Sequence, residues 1–175
     1  DADTVDQMQL PADVALAIKS NLAVISTLDT QIDRLEKRLQ ESVQVRTEYG
    51  LLNSVPGIGR ILATTILLET GPIDRFADVG NFASYARCVD SVRTSNGKKK
   101  GEGNSKNGNK YLAWAFVEVA NFALRYCPEA KRFYERKKAK TKNVIAIKAL
   151  AHKLARACYH ILKEGKPFDA KRCFA

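Results

Sequence analysis

The sequence predicts a mainly α protein, a long coiled-coil helix followed by a compact helical domain with a helix-hairpin-helix element. Three observations predict it. Apolar residues recur at Val14, Ile18, Leu22, Ile25, Leu28, Ile32, Leu35 and Leu39, in unbroken steps of three and four. Further apolar segments of helical length end at Gly71-Pro72, at Pro128 and at Gly165-Lys166-Pro167. Between two short helical pieces lies Val55-Pro56-Gly57-Ile58-Gly59, a sequence built for a tight turn.

The first element is read as one helix over residues 11–48. Asp13, Asp29, Asp33, Glu36, Lys37 and Arg38 cover its other faces. A stripe so narrow, with no second helix close in sequence to cover it, predicts a coiled-coil arm, either between molecules or as half of an antiparallel hairpin. The plain alternative is an amphipathic helix packed on its own domain. Residues 1–48 are therefore assigned to the arm and 49–175 to the helical domain. Helices are expected around the Pro-Gly-Ile-Gly turn, the second running to Thr70, and over Val79–Ala86. Residues 88–109 are polar, basic and glycine-containing, and read as an exposed loop with room for a short hairpin. Asn109 is placed to cap an apolar helix over Tyr111–Tyr126. A basic helix over 129–140 and an amphipathic one over 143–164 complete the order.

Charge divides the chain. Lys plus Arg total 29 against 19 Asp plus Glu, a net of +10. Residues 1–49 carry net −4, whereas 93–110 carry +5, 131–142 carry +6 and 143–175 carry +5. Three basic blocks in the C-terminal part point to a polyanionic partner, although Lys runs also make solvated surfaces. Cys88, Cys127, Cys158 and Cys173 are too widely spaced for a zinc pattern and read as reduced thiols of a cytosolic protein. No apolar run approaches about 18 residues, so no membrane span is expected. A start at Asp1 without Met suggests a piece of a longer chain.

The turn at 55–59 suits a phosphate backbone. Its glycines allow close approach, the amides of the following helix point outward, and Arg60 adds a charge. Ile58 would plug the gap between the two helices. Such contacts position a nucleic acid without reading its sequence. The rival reading is a plain glycine turn between packed helices. Trp114, Phe116 and Phe122 fall in an apolar helix and are read as core, leaving Tyr134 as the base-stacking candidate. His152 and His160 lie two helical turns apart, so a pairing of either with a serine stays open.

Several motifs follow one another in order: Leu51 to Gly59, Glu69-Thr70-Gly71, Ile73-Asp74-Arg75-Phe76, Phe82-Ala83-Ser84-Tyr85-Ala86, Arg93-Thr94-Ser95-Asn96-Gly97-Lys98 and Ser105-Lys106-Asn107-Gly108-Asn109. Together with the arm and the closing Leu162 to Phe168, this order resembles the C-terminal domain of DEDD-type insertion-sequence transposases, whose relatives include the pilin-gene invertase. The resemblance covers nearly the whole chain. It departs from the family pattern at Ala86-Arg87-Cys88, where Ala-Gly-Leu is common, and at Ser95-Asn96-Gly97, where Ser-Gly-Gly is common. Asn tolerates positive φ better than other non-glycine residues.

The resemblance implies a DNA recombinase whose serine nucleophile is Ser95. The chemistry of the residues alone does not separate Ser95 from Ser105. It also implies a ribonuclease-H-like N-terminal domain with acidic ligands for Mg²⁺, outside this chain, and an element-encoded guide RNA as partner. DNA contacts are expected from Gly57, Gly59, Arg60, Arg93, Lys98, Lys99, Lys100 and Lys106, and self-association from the coiled coil. A cytoplasmic, nucleoid-associated protein is expected. Two other classes stand beside this one: a non-catalytic DNA- or RNA-binding module, and a coiled-coil assembly module whose basic surface is incidental.

Overall fold

The structure is a computed structural model that describes residues 2–89, 92–102 and 107–175. By its contacts the chain divides into two compact units, residues 1–43 and 44–175. The first unit contains α1 (Ala2–Gln7) and most of α2 (Ala12–Gln44). Lys19 of α2 pairs with Asp6 of α1 at 2.5 Å. The apolar stripe of α2 lies open to solvent: Ile25 is 53% exposed, Ile32 50% and Leu35 64%.

The helix expected over 11–48 is not continuous. It ends at Gln44, and the chain restarts as α3 (Thr47–Asn53) after Arg46, whose φ of −87° and ψ of 130° are extended. The stripe itself stops at Leu39, so nothing in the apolar spacing specified a helix through the last turn and a half. The turn Ser54–Gly59 then leads into α4 (Arg60–Thr70). A 3₁₀ turn (Ile73–Arg75) and α5 (Val79–Tyr85) follow. The antiparallel hairpin β1 (Val92–Ser95) and β2 (Lys98–Glu102) precedes α6 (Lys110–Tyr126), α7 (Pro128–Lys138), α8 (Asn143–Glu164) and α9 (Ala170–Phe174). The protein is thus mainly helical, as its sequence predicts, with the described strands confined to the expected 88–109 segment.

Local chemistry explains the boundaries. Asn109 caps α6, its side-chain oxygen accepting from the amides of Tyr111 and Leu112 at 2.8 and 3.0 Å. Asp78 caps α5 through the Asn81 amide at 2.8 Å. Gly165 ends α8 in the left-handed conformation. The short α9 has no apolar period to announce it, but Asp169 accepts from the amides of Lys171 and Arg172.

The core of the second unit lies between α6 and α8, with α4, α5 and α7 packed around them. Leu112, Ala115, Phe116, Val119, Ala120 and Ala123 recur on one face of α6 and are fully buried. Phe82 is fully buried and meets Phe76 and Phe116 edge-on, with ring centroids 5.2 and 6.0 Å apart. Each such pair adds about 0.5–1.5 kcal/mol beyond simple burial. Three alanines in the α6 stripe, Ala115, Ala120 and Ala123, let its neighbours approach closely.

Candidate functional site

The 88–109 segment is rooted on the end of α5. The Cys88 amide donates to the Ala83 carbonyl at 2.9 Å, and the Asn109 amide donates to the Tyr85 carbonyl at 2.6 Å. Arg87 Nη2 donates to the Gly108 carbonyl at 2.9 Å. Asn109 Nδ2 donates to Glu69 Oε2 at 2.5 Å and reaches the Tyr85 phenol oxygen at 3.4 Å. That bond, with the Arg75 guanidinium beside it, lowers the Tyr85 pKa from its ordinary value. Arg75 lies over the Phe76 and Tyr85 rings, 4.6 Å from each centroid. Asp74 pairs with Lys163 of α8. The Glu69 and Ile73–Phe76 motifs therefore meet at Tyr85 and Asn109, where the segment leaves and rejoins the helices.

Ser95 ends β1 and pairs in register with Lys98 of β2. Directly opposed residues of an antiparallel pair share a face, so the exposed hydroxyl stands beside the exposed ammonium. The connecting Asn96 and Gly97 have φ of 51° and 69°, the paired positive values of a type I′ turn. Arg87, at the other departure from the family pattern, also has positive φ, 54°. Both substitutions therefore fall where the chain requires a conformation natural to glycine. Arg93 lies in β1 opposite Gly101, and Lys99 and Lys100 lie in β2. Lys106 and the rival serine, Ser105, lie outside the described residues. Cys88 at the hairpin root is raised to about 12 by burial and stays protonated at neutral pH. His160 is engaged with Glu164, its Nδ1 3.3 Å from Oε1.

The turn between α3 and α4 separates its two glycines. The Ile58 amide donates to the Val55 carbonyl at 3.0 Å, and Gly57 follows Pro56 with φ of 95°, as a type II turn requires. Gly57 also faces inward. A Cβ there would stand 2.7 Å from the Ala123 amide nitrogen and 2.8 Å from the Val119 carbonyl oxygen. Gly59 is exposed, has φ of −103°, and a Cβ there would meet nothing within 4 Å. Ile58 is 6% exposed and fills the space between the helices. Arg60 is exposed and meets no acidic partner among the described residues. The Ser54 hydroxyl donates to Leu51 at 2.6 Å and accepts from the Phe168 amide at 2.8 Å, tying the C-terminal tail to this turn.

Two aromatic assignments are corrected. Tyr134 is 7% exposed and donates to Asn143 Oδ1 at 2.7 Å, so it cannot present a face to a base. Ala130, Phe133 and Tyr134, spaced i, i+3 and i+4 on an otherwise charged helix, already marked its buried stripe. Phe116 is core, but Trp114 is 48% and Phe122 38% exposed. Sequence reasoning missed this second aromatic face because α6 is apolar nearly all round. The described residues contain no group of three or more His, Cys, Asp or Glu that could hold a metal ion. Among them no helix is long and apolar enough to cross a membrane.

Residues 49–135, from α3 through most of α7, match the family described as Transposase IS116/IS110/IS902. The chain is 27% identical over 158 residues to a probable family 20 transposase of Pseudomonas aeruginosa, covering 87% of this chain and 46% of that protein. It is 29% identical over 177 residues to the mini-circle putative transposase for IS117 of Streptomyces coelicolor, covering 95% and 41%. It is 28% identical over 151 residues to the pilin gene-inverting protein of Moraxella bovis, covering 84% and 46%. The chain thus spans somewhat under half the length of these relatives.

Proposed function

Taking residues 49–135 as a transposase-family domain, we propose that this chain is the serine-bearing part of a DNA strand-transfer enzyme. The observation that carries the proposal is Ser95, exposed at the tip of a hairpin whose register puts Lys98 opposite it, within a segment that bonds to α5 at Cys88 and Asn109. In the proposed step Ser95 Oγ attacks a DNA phosphorus, forming an O–P bond. The bond from phosphorus to a sugar oxygen breaks, and that oxygen leaves as a hydroxyl, taking up a proton to balance the one lost by serine. The phosphoserine ester conserves the bond energy, so a second hydroxyl can reverse the step on a new strand. Lys98 contributes positive charge to the phosphoryl oxygens in the transition state. Arg93, Lys99, Lys100 and Lys106 extend that cationic strip in sequence. The α3–α4 turn, through Gly59 and Arg60, positions the duplex by its backbone, in the manner of a helix-hairpin-helix.

A serine hydroxyl needs activation. In this reading a separate domain supplies the proton acceptor and the acidic ligands for Mg²⁺, and a guide RNA selects the DNA in the longer protein. The chain by itself then binds without reacting. The test uses full-length protein, guide RNA and nicked DNA. Ser95→Ala abolishes the covalent protein–DNA adduct with binding retained, whereas Ser105→Ala keeps the adduct. An adduct that persists in Ser95→Ala and vanishes in Ser105→Ala assigns the nucleophile to Ser105. An adduct formed by residues 1–175 alone contradicts the need for a second domain.

A further inference from the structure

α6 carries two faces. Along the border of its core stripe, Tyr111, Trp114, Phe122 and Tyr126 form a line of exposed aromatics, 52%, 48%, 38% and 67% exposed. The line is flanked by cations: Lys110 lies 4.9 Å from the Tyr111 ring centroid and Arg125 5.8 Å from that of Phe122. At its C-terminal end, Phe122 and Tyr126 form one wall of a concavity of about 610 Å³ whose other wall is the 53–62 segment. Ile61, 60% exposed, adds to the apolar lining. The same concavity receives the N-terminus of α4. Gly59 gives that helix no side-chain cap, and the first intrahelical bond is the one from the Ala63 amide to the Gly59 carbonyl. The amides of Arg60, Ile61 and Leu62 are thus left without acceptors among the described residues, at the positive end of the helix.

We propose that this concavity seats an unpaired nucleotide of a nucleic-acid strand, with its base against Phe122 and Tyr126 and its phosphate at the α4 amides and Arg60. The occupant follows from the pairing of chemistries. Aromatic rings on a concave wall meet the flat face of a base, and a stacked duplex keeps those faces inside. The amides and guanidinium that line the same concavity ask for an anion beside that base. Lys110 and Arg125 continue the positive charge along the line, so that Trp114 and Tyr111 offer stacking positions to neighbouring bases. Half-buried Glu118 is the one acid on this face of α6. The exposed Gly59 fits the same account: its backbone conformation suits any residue, and what its missing side chain leaves open is the approach to these amides. The inference deepens the nucleic-acid reading above and rests on it.

The test compares binding of the whole chain to a fluorescent ten-nucleotide oligo(dT), an oligo(U) of equal length, an abasic oligomer and a duplex. Phe122→Ala/Tyr126→Ala lowers single-strand affinity by about tenfold or more, while duplex affinity stays within about twofold. Tyr126→Phe retains the stack and binds as wild type. The stronger of the DNA and RNA arms identifies the source of the strand. Both replaced side chains are exposed, and an unchanged melting temperature verifies the fold. Single-strand binding that ignores the double substitution, or an abasic oligomer bound as tightly as oligo(dT), overturns the stacking site while leaving the duplex reading intact. So does a drop in solution mass in the double variant, which would make the face a protein contact. Failure of the wild-type chain to bind duplex at low salt overturns the nucleic-acid reading itself.

Discussion

Gly57 and Gly59 look equivalent in the sequence, two residues apart in one turn, yet the fold constrains only the first. Gly57 combines a φ of 95° with backbone contact to α6, so Gly57→Ala must displace the turn or the helix. It is expected to cost about 2 kcal/mol or more in chemical denaturation. At Gly59 the expected outcome is reversed. Gly59→Asp supplies an N-cap and a favourable charge at a helix N-terminus, so its melting temperature is unchanged or higher. The same carboxylate repels a phosphate, so nucleic-acid affinity falls. A variant that binds as wild type would remove the α4 amides from the contact surface. A Gly-X-Gly pattern shows that both positions lack a side chain; only the neighbouring α6 backbone shows which of the two the fold requires.

Among the elements, α8 and α9 are joined by a charged clasp. Arg172 donates to both oxygens of Glu164 at 2.6 Å, with His160 on the same carboxylate. The Arg172 bond, with further help from His160 and Lys166, holds the Glu164 pKa down at about 2, against an ordinary 4.5. Because the folded value is the lower one, the stability it contributes is complete above about pH 4.5 and disappears as the pH falls through about 2. Glu164→Gln therefore flattens the acid limb of the stability profile, measured by urea unfolding at successive pH values. Elements with strong local punctuation were legible: Asn109, Gly71-Pro72, Pro128 and Gly165 give the ends of α4, α6 and α8 within a residue or so. The break at Val45-Arg46 and the short α9 were not, because neither carries an apolar period. The aromatic face of α6 was hidden for the opposite reason, an excess of apolar residues that left periodicity unable to say which side is core.

At the scale of the molecule, charge and apolar surface are segregated along the chain. The exposed stripe of α2 is expected to associate. Light scattering of the chain with and without residues 1–43 checks this, and identical monomeric masses would dispose of the arm as an assembly element. The basic blocks of the second unit are expected to bind DNA or structured RNA with little sequence preference. With roughly 6–10 phosphates engaged, affinity drops by about 10³–10⁵ between 50 and 200 mM salt. A flat response in a salt titration would move the contact surface away from those blocks. The Ser95–Lys98 hairpin was legible as a loop from its composition, whereas the proposed role of Ser95 as nucleophile rests on the family resemblance. The anchoring of its segment was not legible, because Glu69, Arg75, Tyr85 and Asn109 meet only through tertiary packing.

That anchoring makes the segment between Cys88 and Gly108 an interchangeable cassette. The chain departs and returns at neighbouring backbone positions of α5, held by the Cys88–Ala83 and Asn109–Tyr85 bonds, so the described bonds that close the stem do not depend on how many residues lie between. Doubling the length of such a closed excursion costs only about 0.6 kcal/mol in chain entropy. Hairpins of other lengths and sequences can therefore be grafted onto the same stem without refashioning the core. Reach can diversify here by insertion and deletion while the helices that carry the segment stay the same.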